Sequence, residues 1–208
     1  MKYIILLTLF ILSLSVRAQY TSFQPDAVTS ATTQQQPPKE ESKIEVKYAV
    51  GACPEVGGKV EWRDTINCVP LTAQQIYDKA IQFLMDYCKE EDKDPNSRIA
   101  IVNQEKHEIG ARILEYVTFV DKALIRDRAL LTYTLRLNCY DGRCEVIMQN
   151  MSYKYEGRSF PAEEMLLDGN ALNKTQTDFK KGGFRKFRTK TIDAKDVLFE
   201  RLALALIL

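Results

Sequence analysis

The chain has 208 residues, 45% hydrophobic and 27% charged, which is ordinary globular usage. Its 29 Lys and Arg against 28 Asp and Glu leave a formal charge of +1, excluding a strongly basic nucleic-acid binder and an acidic-tail protein. One His and five Cys exclude most multi-ligand zinc sites, and the length allows one domain, or one domain and a tail.

The first element in chain order is a targeting signal. Lys2 supplies a positive start, Ile4 to Leu14 is an apolar run broken only by Thr8 and Ser13, and Val16-Arg17-Ala18 places small residues before a cut. The run is too short for a bilayer span of about 20 residues, so residues 1–18 read as a cleaved secretory signal peptide. Export, to the periplasm or beyond the cell, follows from that reading. Removing Lys2 and Arg17 takes the charge from +1 to −1. Residues 19–43, rich in Gln, Pro and Thr around Gln34-Gln35-Gln36-Pro37-Pro38, show no hydrophobic period and read as a flexible linker. Residues 44–208 then form a single domain.

Ile44 to Val50 and Lys59 to Ile66 read as short strands, the second with Val60 and Trp62 alternating against Glu61 and Arg63. Thr72 and Gln75 make a capping-box pattern ahead of a helix with Ile76, Ala80, Phe83, Leu84 and Tyr87 at helical spacing. Four strands follow: Ile99 to Asn103, Ile113 to Val120, Leu130 to Cys139 and Cys144 to Tyr155. Asp141-Gly142 turns the last two into a hairpin. Beyond Gln149 the apolar positions change parity, which predicts a bulge near Gln149–Asn150 or outward-facing aromatics. Pro161 to Leu172 holds a short helix, and Thr191 caps a final one with Leu198, Leu202, Ala205 and Leu206 in one stripe. The fold class is α+β: one antiparallel sheet of about five strands with two main helices on one face, in the order β-α-β-β-β-β-α.

A two-residue turn at Asp141-Gly142 makes Cys139 and Cys144 a non-hydrogen-bonded pair, with Cα atoms about 4.5 Å apart. That lies in the range of a disulfide, and export supplies the oxidising compartment, so a Cys139–Cys144 disulfide is expected. The alternative is two reduced thiols packed as small hydrophobes. Cys53 and Cys68 flank one strand and leave a second bridge open, with Cys88 the odd thiol.

His107, the single His, sits in a polar loop, where it reads as solvated rather than as a member of a catalytic triad. There is no phosphate-loop motif, and no cofactor or metal is implied. Asp193, Asp196 and Glu200 read as a solvated face at the positive end of the last helix. Phe179 to Lys190 concentrates Lys180, Lys181, Arg185, Lys186, Arg188 and Lys190 among three Phe, with no acid. It is a candidate anion-binding loop, or else a loop whose Phe pack inward while the charges face water.

Taken in order, Gly51-Ala52-Cys53-Pro54 through Lys59-Val60, Asn96-Ser97-Arg98-Ile99, Cys139-Tyr140-Asp141-Gly142-Arg143-Cys144, Tyr153-Lys154-Tyr155-Glu156, Ala162-Glu163-Glu164, Leu172-Asn173-Lys174 and Phe187 through Asp193 resemble a family of exported Bacteroidetes proteins. That family is domain of unknown function 4468, with a TATA-binding-protein-like fold. The resemblance implies a curved antiparallel sheet with helices on its convex face, and implies no activity and no catalytic residue.

Two functional readings lead. The first is a non-catalytic binding or assembly module of the cell envelope, using the open sheet face or the basic loop against a protein or glycan. The second is a carrier of a small apolar ligand held between sheet and C-terminal helix, lined by Leu202 to Leu208. An enzyme working by carboxylates alone ranks last, and nucleic acid is excluded by export and charge. After signal cleavage no segment reads as membrane-spanning.

Overall fold

A computed structural model describes residues 42–122 and 125–208. The expected signal peptide and all but the end of the expected linker lie outside the described residues. The described chain is pinned from its start, since the Lys43 amide donates to the Thr177 carbonyl at 2.8 Å.

A six-stranded antiparallel sheet organises the domain. Its strands are β3 (Trp62–Asn67), β4 (Arg98–Asn103), β5 (Glu108–Lys122), β6 (Ile125–Tyr140), β7 (Arg143–Tyr155) and β8 (Arg158–Pro161). The spatial order is β3-β7-β6-β5-β4, and β8 pairs with the far half of β7. A separate small hairpin joins β1 (Glu55–Val56) to β2 (Lys59–Val60). The observed sheet thus has one strand more than the expected five. Strand β8 was missed because four residues after a Glu156-Gly157 turn carry little periodic signal.

Alternation fixes the covered face. Leu131, Tyr133, Leu135, Leu137 and Cys139 of β6 are buried, as are their cross-strand partners Ile109, Ala111 and Ile113 on β5 and Val146 and Met148 on β7. Helices α1 (Ala73–Tyr87) and α4 (Phe184–Ile207) both lie on this side. Tyr87 of α1 meets Tyr133, and Thr191 of α4 meets Tyr153, each hydroxyl to hydroxyl. The expected parity change is a bulge: Thr132 faces Ser152, but Thr134 faces Gln149. Asn150 takes φ 55° there, and Met151 and Tyr153 return to the core.

Helix α1 begins as expected, with the Thr72 side chain accepting from the Gln75 amide and Gln75 reaching back to the Thr72 amide. Asp141 of the β6–β7 turn adds a second cap by accepting from the Ala73 amide at 2.8 Å.

Two expectations at the ends of the domain are corrected. Ile44 to Val50 is not a strand but a 3-10 turn at Val46–Tyr48. The carbonyls of Tyr48 and Ala49 face the Arg188 guanidinium, at 2.9 and 2.6 Å, and not a neighbouring strand. The last helix does not begin at a Thr191 cap. It starts eight residues earlier, behind Gly183, which holds φ 93° as N-cap. Its inward stripe runs through Phe187, Arg188, Thr191, Ile192, Leu198, Phe199, Leu202 and Leu206. Two polar residues in that stripe hide its helical period in the sequence.

Between Pro161 and Leu172 lie two single-turn helices, α2 (Glu163–Leu166) and α3 (Asp168–Ala171). Leu198, Leu202 and Leu206 belong to the same core cluster as Ile76, Ala80 and Leu84, so the C-terminal run packs the core on one side. On its other side Leu204, Ile207 and Leu208 are exposed.

Candidate functional site

The six basic residues singled out in the sequence do not form one patch. Arg188 is fully buried and spent on structure: it donates to the carbonyls of Tyr48, Ala49 and Leu166 and to Asp168 Oδ1 at 2.7 Å. It is removed from the set of anion-binding candidates, because it has no exposed surface and four of its five N–H groups are spent on the protein. Lys186 is half-buried between Asp127 and the Tyr155 hydroxyl, each at 2.8 Å. Burial pushes its pKa down, but those two hydrogen bonds outweigh it and hold the ammonium above its ordinary value. In turn the Lys186 hydrogen bond keeps the Asp127 carboxyl below the usual carboxylate range. Arg185 pairs with Asp178 at 3.1 Å and lies over the Phe179 ring, and Lys180 donates to the Gly169 carbonyl at 2.6 Å. Lys181 and Lys190 are exposed but sit at opposite ends of the segment, nine residues apart. A cavity of about 440 Å³ beside Gly182, Gly183 and Lys186 therefore offers a lysine already taken.

The three Phe pack as the alternative reading expects. Phe187 lies edge-on to Phe119, Tyr153 and Tyr155 with ring centroids 4.7 to 5.3 Å away. Asp193 and Asp196 are not a free acidic face at a helix start, since they lie mid-helix and hold the 3-10 turn. Lys47 reaches Asp193 at 2.6 Å and Asp196 at 3.3 Å, and the Tyr48 hydroxyl donates to Asp193 at 2.8 Å. Glu163 is buried, accepting from the Val60 amide at 3.2 Å. His107 is half-buried rather than solvated, edge-on to Tyr77 with Nε2 3.3 Å from the Gln74 amide oxygen.

Cys139 and Cys144 are cross-strand partners, as the turn predicts. Their sulfurs stand 3.9 Å apart and both thiols are free in this structure. The hydrogen bond with Cys144 holds the Cys139 thiol below its ordinary value, while the same bond and burial push Cys144 up. Cys53 and Cys68 are not brought together. Cys68 sits beside the Cys139–Cys144 pair, whereas Cys53 lies on the Arg188 and Asp168 side, where burial pushes its thiol to about 12.

The sheet's second face assembles what the basic segment does not. Among the described residues α1 and α4 pack on the other side, and alternation sends residues opposite in parity to Leu135 and Leu137 toward this face, where Arg112 and Arg136 are exposed while Leu114 and Ile147 are buried. Arg63 of β3, Ile147 of β7, Arg136 of β6 and Gly110 of β5 lie in one cross-strand row. The next row holds Gln149, Thr134, Arg112 and Arg98. Arg98 thus stands directly opposite Arg112, and Arg136 is diagonal to Arg112. Adjacent strands are about 4.8 Å apart and diagonal neighbours about 7–8 Å, so the three arginines stem from one small area of the sheet.

Like charges placed directly opposite destabilise a strand pair. Among the described residues the guanidinium groups of Arg112 and Arg136 make no hydrogen bond or ion pair, and Arg98 reaches only the Asn96 carbonyl at 3.2 Å. Arg63 is held by Glu61 at 2.5 Å. Glu145 and Glu108 lie one row away, and Glu145 contacts Arg143 at 3.9 Å. At the far end of the face Arg128 lies over the Tyr116 ring at 3.8 Å, and Lys154 is exposed. The sequence analysis missed these residues singly. The signal lay in the alternation itself, which puts Arg63, Arg112 and Arg136 at the polar parity of their strands. The registers that bring them together cross up to 86 residues of chain and have no local signature.

Comparison with known proteins gives the fold and no activity. The family described as domain of unknown function (DUF4468) with TBP-like fold matches residues 62–154. A solved DUF4468 family protein from Bacteroides ovatus is 33% identical, with a TM-score of 0.73 over 79% of this chain and 96% of that one. A TBP-like protein from Parabacteroides distasonis, at 19% identity and a TM-score of 0.59, covers 74% of this chain and 96% of its own, and shares the fold. No curated protein matches the chain.

Proposed function

The chain belongs to the DUF4468 family with its TBP-like fold, and on that premise we propose that it is a non-catalytic binding module of the cell envelope whose open sheet face holds an acidic glycan. One observation carries the reading: Arg98, Arg112 and Arg136 stem from neighbouring positions on this face, and among the described residues neither Arg112 nor Arg136 makes an ion pair, although Glu108 and Glu145 lie one row from Arg136. A folded domain gains nothing from that juxtaposition, and an anion resting on it removes the repulsion. Guanidinium forks bind carboxylates and sulfates through paired N–H groups, which suits a chain carrying such groups at regular intervals. Thr134 and Gln149 in the row of Arg112, and Thr132 in the row beyond it, offer neutral hydrogen bonds to sugar hydroxyls. The secretory pattern at residues 1–18 supports an envelope setting. Leu198, Leu202 and Leu206 pack within the main hydrophobic core, which gives the apolar-carrier alternative no supporting observation.

The test is retention of the protein on immobilised polygalacturonate at low ionic strength. Retention should fall at least tenfold in the Arg112→Ser/Arg136→Ser variant, stay unchanged in Lys180→Ser/Lys181→Ser, and weaken steeply with salt. Equal retention of the open-face variant would remove the glycan reading. Retention on anionic vesicles but not on polygalacturonate would replace the glycan by a membrane surface.

A further inference from the structure

We propose that Cys139 and Cys144 are the site of an oxidative cross-link made as the chain folds in an oxidising compartment, with Cys68 left as the neighbouring reduced thiol. Register is the first support. The two cysteines are opposite each other one step out from the Tyr140–Arg143 closing pair. The Cys139 amide donates to the His107 carbonyl on the β5 side at 3.0 Å, so the pair is of the non-hydrogen-bonded kind. Such pairs bring Cα atoms to about 4.5 Å, within the range that a disulfide spans. The sulfurs are already 3.9 Å apart, so they face each other across the two strands.

Selectivity is the second support. Five cysteines are described, and they occupy different surroundings. Cys68 is close to the pair, but its amide is tied to the Gly142 carbonyl at 2.7 Å and its sulfur points to the Ile66 carbonyl at 3.6 Å. Cys88 follows α1 and Cys53 lies across the core near Arg188. Only Cys139 and Cys144 are joined by a two-residue turn, which forms locally and early, so they meet before the long-range pairings are made.

The chemistry is thiol–disulfide exchange with a disulfide-bearing oxidant, either a small molecule or an oxidoreductase. One cysteine of the pair, as thiolate, attacks the oxidant's disulfide, forming a mixed disulfide and releasing one thiolate. The second cysteine, as thiolate, then attacks the mixed disulfide and releases the other. The two protons lost by the protein pass to the two released thiolates. The protein is oxidised by two electrons and the oxidant is reduced by two. Since both sulfurs are buried in the finished fold, at 2% and 0% exposure, the exchange belongs to the open hairpin and the product is sealed under α1.

The link would fix a junction that the turn already organises. Asp141 caps α1 at the Ala73 amide, and Gly142 exchanges backbone hydrogen bonds with Leu71 and Cys68. A clipped hairpin holds that cap in place from the moment it forms.

The decisive experiment refolds the reduced full-length chain from denaturant with and without a glutathione–glutathione disulfide buffer. The product is quenched in acid, unfolded, alkylated with iodoacetamide and weighed. In the redox buffer the product should lack two hydrogens and carry three alkyl groups, with a peptide map joining Cys139 to Cys144. The Cys68→Ser variant should close the same link. Five alkyl groups after oxidative refolding would overturn the proposal, and so would any link that includes Cys68.

Discussion

Arg188 and Arg136 are the same side chain in opposite surroundings, on the two sides of one sheet. Arg188, on the helix-covered side, has no exposed surface and gives its N–H groups to three carbonyls and the Asp168 carboxylate. Arg136, on the open side, is exposed and shares its area with Arg112 and Arg98. The covered side neutralises charge wherever it buries it. Lys93 meets Glu115 at 3.2 Å with both side chains nearly out of water, and Glu115 also accepts from the hydroxyls of Tyr87 and Tyr133. On the open side Arg63 has Glu61, but Arg112 and Arg136 make no ion pair among the described residues, and Arg112 stands opposite Arg98. The lesson is that unbalanced charge marks the surface kept for a partner, while balanced charge marks the architecture.

The sharpest break of that comparison is Arg188→Met. It removes the guanidinium that holds the Tyr48 and Ala49 carbonyls to α4, and it leaves Asp168 without its buried partner. Uncompensated buried polar groups of this kind cost about 3–5 kcal/mol, so urea unfolding should lose that much. Arg188→Lys should recover little, because one ammonium cannot reach four acceptors on different elements. A loss under 1 kcal/mol would mean that water replaces the guanidinium and that the contact only decorates the turn.

Next in size is the Lys93–Glu115 pair. Glu115→Leu removes the one carboxylate shared by Lys93 and the two tyrosine hydroxyls; Lys93 keeps Asp92 at 2.7 Å and Glu90 at 3.7 Å, and Tyr87 keeps Tyr133, so the cost should be about 1–3 kcal/mol. The double variant Lys93→Met/Glu115→Leu should lose less than Glu115→Leu alone, because no buried charge is then left over. A double variant as unstable as the sum of its singles would show the pair acting independently, against the neutralising rule drawn for the covered side.

Legibility from sequence follows the same division. The capping box at Thr72 and Gln75, the Asp141-Gly142 turn, the Cys139–Cys144 pairing and the parity change near Asn150 are all local, and the sequence reading placed them well. The covered side was legible where its stripe was apolar, as along Leu131 to Leu137. It was not legible where Arg188 and Thr191 sit inside the stripe of α4, because a polar residue at a core position breaks the period on which the reading depends. The 3-10 turn at Val46–Tyr48 was misread for a related reason. Ile44 to Val50 is β-branched enough for a strand, but its carbonyls are claimed by Arg188, distant in the chain. The candidate site is the least legible part. Each open-face arginine is one polar residue in an alternating strand, and only the register between strands makes a cluster of them.

A smaller effect should appear in acid. Burial works to raise the Asp193 pKa, but hydrogen bonds from Lys47 and Tyr48 prevail and hold the carboxyl below the usual carboxylate range. A carboxyl depressed in the folded state adds stability above its unfolded value of about 3.9, and that gain is lost as pH falls through the lower folded value. Lys47 is nearly half exposed, so solvent screens the pair and the gain is modest. Denaturant midpoints of Asp193→Asn and the parent should differ at pH 6 and converge toward pH 2. A constant gap over that range would assign Asp193 a packing role without an ionic one.

The smallest expected change in stability is also the one that separates the two sides most cleanly. Arg112→Ser/Arg136→Ser deletes two guanidinium groups that touch no acceptor among the described residues, and it relieves the repulsion with Arg98 across β4 and β5. Surface changes of this kind usually move stability by no more than about 0.5 kcal/mol, and relief of like charges sets the direction as a gain. Added salt should narrow the difference, since screening does for the parent what the substitutions do for the variant. A loss above 1 kcal/mol would mean that these arginines hold the fold after all, and the contrast with Arg188 would fail. A neutral or slightly raised unfolding midpoint, combined with lost retention on polygalacturonate, would tie the unpaired charge to binding alone.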